Sequence, residues 1–190
     1  MKDASPAADG GGSFSLLSPR LTFCADPTLA EAGLHARAAA GEAVALLWHS
    51  PQSLVVPGSY KRFTGLDEVR AQFADAGCPV FLRKSGGGLV PRGPGIINIS
   101  LAYPLWRTLG AAAEGVYEHL CDMLSDALLD LGVPTGWQAV EGSFCDGRYT
   151  LACGEGKAAR TIAGTAQSCP SVADPPAECP RLSLVSSQSA

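Results

Sequence analysis

The sequence predicts a single α/β domain, and three observations carry that expectation. Hydrophobic residues make up 46% and charged residues 17% of the 190, ample apolar material for one core but too little chain for two. Gly 22 and Pro 14 call for many turns rather than a helical bundle. Segments of helical spacing alternate with short β-branched runs bounded by glycine and proline, the pattern of helices and strands that share one core.

Asp26-Pro27 is a helix cap followed by proline at the first helical position, and Ala30, Leu34 and Ala38 recur at helical spacing, so a helix runs from Pro27 to about Ala40. Val44 to Trp48 and Ser53 to Val56 are apolar runs separated by Ser50-Pro51, which predicts a hairpin. Leu66, Val69, Phe73 and Ala76 mark a second helix stopped by Gly77, and Pro79 to Arg83 resumes as a strand. Ile96 to Leu101 is a buried strand. Gly115 to Leu131 gives the strongest helical pattern, with Val116, Leu120, Met123, Leu124, Ala127, Leu128 and Leu131 on one face and Gly132 and Pro134 ending it. Gln138 to Val140, Arg148 to Ala152 and Arg160 to Ala163 are further strands. Three parts follow: an N-terminal extension (1–26), the domain (27–167) and a Ser- and Pro-rich tail (168–190) expected to stay without order.

Composition also bounds function. A formal net charge of -4, with no basic run, disfavours nucleic acid and a polybasic membrane patch. No apolar stretch approaches the roughly 18 residues a membrane span needs, and Met1 to Gly12 lacks the apolar core of a secretory signal. The expected compartment is the cytoplasm, with no membrane partner. Seven cysteines include no Cys-x-x-Cys pair, so neither a structural zinc site nor a disulfide framework is indicated. His35, His49 and His119 share no ligand-like spacing, and no metal site is expected. Trp48, Trp106 and Trp137 read as core or pocket wall.

The chemistry concentrates in Leu82-Arg83-Lys84-Ser85-Gly86-Gly87-Gly88-Leu89. Three glycines between two strands permit positive φ and remove side chains, so backbone N–H groups can line up against a phosphate or carbonyl oxygen. Arg83 adds a fixed, forked cation at the rim. A glycine triplet alone is more often a plain hairpin turn or a flexible loop. A P-loop is excluded, because its closing lysine and hydroxyl residue are absent and a strand follows instead of a helix.

The whole block resembles the Arg-x-Ser-Gly-Gly-Gly motif of lipoate-protein ligase A and its relatives. Gly93-Pro94-Gly95 is similar to a segment of lipoyl (octanoyl) transferases, and Ile97-Asn98-Ile99-Ser100 to the Asn-x-Ser that follows the glycines in the ligases. A second match joins Gly142-Ser143-Phe144-Cys145-Asp146-Gly147-Arg148-Tyr149 to Ile162-Ala163-Gly164-Thr165-Ala166-Gln167. The resemblance covers about Pro27 to Gln167. It implies a mixed, largely antiparallel sheet with helices on one side, the biotin/lipoate ligase-like catalytic domain, truncated at its C-terminus.

The resemblance further implies transfer of a lipoyl or octanoyl group to a lysine of a lipoyl carrier domain, of the glycine cleavage H protein or a 2-oxoacid dehydrogenase E2 component. Arg83, Ser85, Gly86, Gly87, Gly88, Asn98 and Gly164 would border the acyl pocket, in a monomer. Cys145 matches the acyl-carrying cysteine of the octanoyltransferases. Read by itself it is as well a buried thiol, since a free thiol is mostly protonated near neutrality and needs an activator, for which Arg148 and Lys157 are candidates. If the donor is an adenylate, ATP and magnesium are needed and Cys145 is a bystander. The chain departs from the family where a lysine precedes the Ile-x-Gly segment, for Thr161 stands there. Losing such a donor typically costs about 3 kcal/mol of transition-state stabilisation. Arg160 should face away from the pocket, whereas Lys157 can fold in from its loop. The alternative is thus an impaired relative that only binds acyl ligand or carrier.

Overall fold

The computed structural model describes residues 13–83, 88–105, 109–143, 147–168 and 181–188. Along the chain run β1 (Ser15–Leu16), β2 (Thr22–Phe23), α1 (Leu34–Ala39), β3 (Val44–His49), β4 (Ser53–Pro57), α2 (Leu66–Asp75), β5 (Val80–Arg83), β6 (Val90–Arg92), β7 (Asn98–Leu105), α3 (Leu109–Asp130), β8 (Gly136–Trp137), β9 (Leu151–Cys153), β10 (Arg160–Ala163), β11 (Gln167–Ser168) and β12 (Arg181–Gln188). The main sheet has the order β1-β3-β7-β12-β11, with β2 also on β3; β5-β4-β6 and β10-β9-β8 form two smaller sheets. β1 and β2 pair with β3, and β4 with β5, in parallel. The other pairings are antiparallel, so the sheet system is mixed and largely antiparallel, as expected.

Strand parity sorts the core. Val44 and Ala102 join Leu34 and Ala38 of α1 in one cluster, while Ala45, Leu101 and Tyr103, one residue out of phase, join Val116, Leu120 and Leu124 of α3 in the larger one. Successive strand side chains point to opposite faces, so α1 and α3 cover opposite faces of the main sheet. This corrects the expectation of helices on one side. Each fully buried leucine on the α3 side contributes about 1.5–3 kcal/mol, which makes this face the main source of stability.

Other expectations shift as well. The first helix is shorter than Pro27 to Ala40: Asp26 Oδ1 accepts from the Thr28 amide at 2.8 Å and from its hydroxyl at 2.6 Å, closing a local turn, and α1 starts only after Gly33 at φ 83°. The hairpin does not form. β3 has β7 on one edge and β1 and β2 on the other, so Ser50-Pro51 carries the chain to another sheet, where β4 lies between β5 and β6. Gln138 to Val140 is not a strand; the pairing falls just before it, on Gly136–Trp137. The tail expected to lack order contributes β12, which pairs with β7 from Arg181↔Leu105 to Gln188↔Asn98. The β7 edge supplies the unpaired backbone groups that a further strand satisfies. α2 forms where its spacing placed it and ends at Gly77, φ 76°, but Val69 and Phe73 stay exposed. No helix among the described residues is long and apolar enough to cross a membrane.

Candidate acyl site

β5 ends at Arg83, and β6 opens two residues after Gly88. Arg83 Nη1 donates to the Val55 carbonyl at 3.2 Å and Nη2 to the Gly88 carbonyl at 2.7 Å. One guanidinium therefore pins the far end of the glycine segment onto β4, with the forked geometry that arginine provides. Gly88 is exposed. Ser85, Gly86 and Gly87 lie outside the described residues, as does Cys145.

Asn98 sits where β7 meets β3. It is 1% exposed, its Nδ2 donates to the Trp48 carbonyl at 3.3 Å, and its Oδ1 is buried without a partner among the described residues. Trp48 is opposite Asn98, and Ser100 opposite Leu46, so Trp48, Asn98 and Ser100 share the α1 face. On that face the Trp48 indole Nε1 donates to Ser100 Oγ at 2.9 Å, and the Ser100 hydroxyl donates to Glu31 Oε1 at 2.7 Å. Arg92 of β6 lies over the Trp48 ring at 4.9 Å from its centroid, within cation–π range.

The charges bear on one another. Burial raises the Glu31 carboxyl, while its bond from Ser100 and the charge of Arg92 lower it. Burial pulls the Arg92 guanidinium down to about 10, against the favourable field of Glu31 and with the repulsion of Arg83. Arg92 Nε and Nη1 are shut off from solvent and have no hydrogen-bond partner among the described residues. In the helix expected over Pro27 to Ala40, the spacing Glu31, Leu34, Ala38 puts a carboxylate on the apolar stripe, although in the structure Glu31 precedes α1. That charge on an apolar face was the available sign of the cluster, and the sequence reading gave neither Glu31 nor Arg92 a role.

The remaining candidates stand on the β8–β10 sheet, whose Leu151 and Ala163 enter the α3 core. Thr161 Oγ1 is buried without a partner among the described residues. Arg160 and Lys157 are exposed, Lys157 on the 3-10 turn Gly156–Ala158, and Gly164 is half-buried. Arg148 forms an ion pair with Glu114 at 2.9 Å. A surface cavity of about 430 Å³ lies elsewhere, at the start of α2, lined by Lys61, Phe63, Leu66, Arg70 and Leu82 among others.

Comparison with known proteins converges on this scaffold. The model of the lipoyl protein ligase A/B catalytic domain matches residues 28–171. An uncharacterised protein of Cupriavidus necator is 60% identical over 142 residues, 75% of this chain and 56% of its own length. The octanoyl-[GcvH]:protein N-octanoyltransferase of Kyrpidia tusciae is 40% identical over 92 residues, 48% of this chain and 30% of its own. The chain thus spans about half or less of the length of these relatives. Among solved structures, a candidate lipoate protein ligase from T. acidophilum with bound lipoic acid superposes with a TM-score of 0.68 at 14% identity, covering 94% of this chain and 68% of that one. A lipoate-protein ligase A bound with ATP gives 0.66 at 14% identity, covering 94% and 66%.

Proposed function

The chain belongs to the lipoyl protein ligase A/B catalytic-domain family, and from that premise we propose that it transfers an octanoyl or lipoyl group to the ε-amine of a lysine on a lipoyl carrier domain. The observation that carries the reading is Arg83, which ties Gly88 back to β4 at the end of a glycine run suited to cradling an oxyanion. Relatives of the chain are octanoyl-[GcvH]:protein N-octanoyltransferases, a name that makes an octanoylated carrier of the glycine cleavage H type the acyl donor and favours transfer without ATP. A 2-oxoacid dehydrogenase E2 lipoyl domain is the other carrier class.

In the thioester route the Cys145 thiolate attacks the acyl carbonyl of the donor. The Gly86 to Gly88 amides hold the oxyanion, the donor's leaving group departs, and the carrier amine then displaces Cys145 to form the amide. Lys157, from its exposed turn, would activate the thiol. The adenylate route uses ATP instead. In that route magnesium would accompany the nucleotide's phosphates, as it does where one or two carboxylates and the substrate hold it.

Incubating the protein and a lipoyl domain with octanoyl-carrier, or with ATP and octanoate, and weighing the lipoyl domain by mass spectrometry tests the reading. A gain of one octanoyl unit supports it; an unchanged mass under both conditions sinks it. Cys145→Ser separates the routes, because a variant fully active with ATP and octanoate removes the thioester role.

The second reading, a relative that binds acyl ligand or carrier without turnover, draws on Thr161. Its hydroxyl is buried and has no partner among the described residues, at the position where the family carries a lysine. Thr161→Lys should then raise carrier acylation by two to three orders of magnitude, in line with about 3 kcal/mol for a missing transition-state donor.

A further inference from the structure

Three charged side chains converge where the small β5-β4-β6 sheet meets the α1 face of the main sheet. Arg83 stands level with Pro57, and Arg92 with Ser53, on opposite edges of β4. Four residues apart along that strand, they project from the same side, and each guanidinium disfavours the other's charge. Glu31 is the carboxylate within reach of Arg92's field. Glu31 and the Arg92 guanidinium thus face each other in a partly desolvated place, where a buried charge is costly unless its hydrogen-bonding groups are met.

The donors point the same way. Arg83 spends two nitrogens on the carbonyls of Val55 and Gly88. Arg92 is held by its flat face on Trp48, with Nε and Nη1 enclosed and without a hydrogen-bond partner among the described residues. Trp48 is itself fixed by Ser100, and Ser100 by Glu31. The guanidinium is positioned on the Trp48 ring, while Nε and Nη1 have no acceptor among the described residues. Buried donors without acceptors are rare, and an arginine fork suits a carboxylate or a polarised carbonyl.

We propose that Arg92 is the cation that receives the head-group oxygen of the acyl ligand in this chain, supplying from β6 the positive charge that Thr161 does not offer. The proposal rests on the acyl-transfer reading above. In it Trp48 and Ser100 are positioning residues, and Glu31 tempers the charge so that the empty site remains stable.

Calorimetric titration of the full 190-residue chain with octanoate and with its neutral isostere octanamide tests it. The wild type should bind octanoate about tenfold more tightly than octanamide, the worth of one charge-assisted hydrogen bond. Arg92→Gln should bring octanoate to the level of octanamide while changing octanamide by less than about threefold. Glu31→Gln should tighten octanoate by about threefold or more, since it removes the carboxylate that competes for Arg92, and leave octanamide unaltered. An Arg92→Gln chain that keeps its octanoate affinity, or that loses both ligands equally, overturns the proposal and leaves the acyl reading in place. A wild type that binds neither ligand removes both. Should Arg92→Gln lose its near-ultraviolet dichroism and fail to fold, Glu31→Gln decides alone: unchanged or weaker octanoate binding refutes the role of Arg92.

Discussion

Two buried serines allow the polar cluster to be tested against burial itself. Ser100 is 0% exposed and Ser50 is 3% exposed, yet the Ser100 hydroxyl accepts from Trp48 and donates to Glu31, whereas the Ser50 hydroxyl has no partner among the described residues. Ser100→Ala strands the buried indole N–H, about 1–3 kcal/mol, and removes a donor to a carboxylate, about 1.5–3 kcal/mol. Because one hydroxyl serves both bonds, we expect about 3 kcal/mol in total. Ser50→Ala removes an unmet desolvation cost and should stay within about 0.5 kcal/mol of the wild type or exceed it. With a urea m-value of about 2 kcal/mol/M, the midpoint falls by about 1.5 M for Ser100→Ala and by less than about 0.3 M for Ser50→Ala. The pH dependence has a definite sign. The Ser100 bond favours ionised Glu31 and lowers its pKa, so its share of the penalty is present above that titration and fades as pH falls through it, leaving only the Trp48 share. Equal midpoints for the two alanine variants would show that the hydrogen bonds of the cluster hold nothing together.

Leu120, 2% exposed at the centre of the α3 face, should cost about 2.7–5 kcal/mol when replaced by alanine; a loss below about 1 kcal/mol in urea unfolding would contradict the assignment of the main core. Gly154 and Gly41 share a left-handed backbone, φ 85° and 89°, but a Cβ at Gly154 would stand 2.9 Å from the Ala158 carbonyl oxygen while one at Gly41 meets nothing within 4 Å. Gly41→Ala should cost about 1–2 kcal/mol and Gly154→Ala clearly more; the reverse order in thermal melting refutes the geometry of the connection between β9 and β10. Cys121 is 0% exposed, and burial followed by the charge of Asp122 pushes its thiol from 9.0 up to about 11. Iodoacetamide at pH 8 should therefore leave it unlabelled in the native chain while half-buried Cys78 and Cys153 react. Since the folded thiol holds its proton longer than the unfolded one, its stabilising share is lost as pH rises from 9.0 to about 11; rapid native labelling would disprove the burial.

What local patterning controls was legible in the sequence. Helical spacing located α2 and α3 because one stripe of each repeat must differ from the rest. Alternation and glycine punctuation located β3, β4, β5 and β10, and the residue motif led to the family through Arg83 and the glycine run. What long-range pairing controls was not. Ser50-Pro51 looks the same whether the next strand turns back or leaves for another sheet, and only the occupied edges of β3 decide it. The partner of β7 comes from residues 181–188, where composition speaks for disorder because it records apolar content and not a vacant sheet edge. Glu31, Trp48, Arg92 and Ser100 span 69 positions, each reasonable alone as a surface charge, a core ring, a strand residue and a small polar filler. Desolvation and electrostatics act through space rather than along the chain. For that reason only the tertiary structure could make those four residues a single charged site.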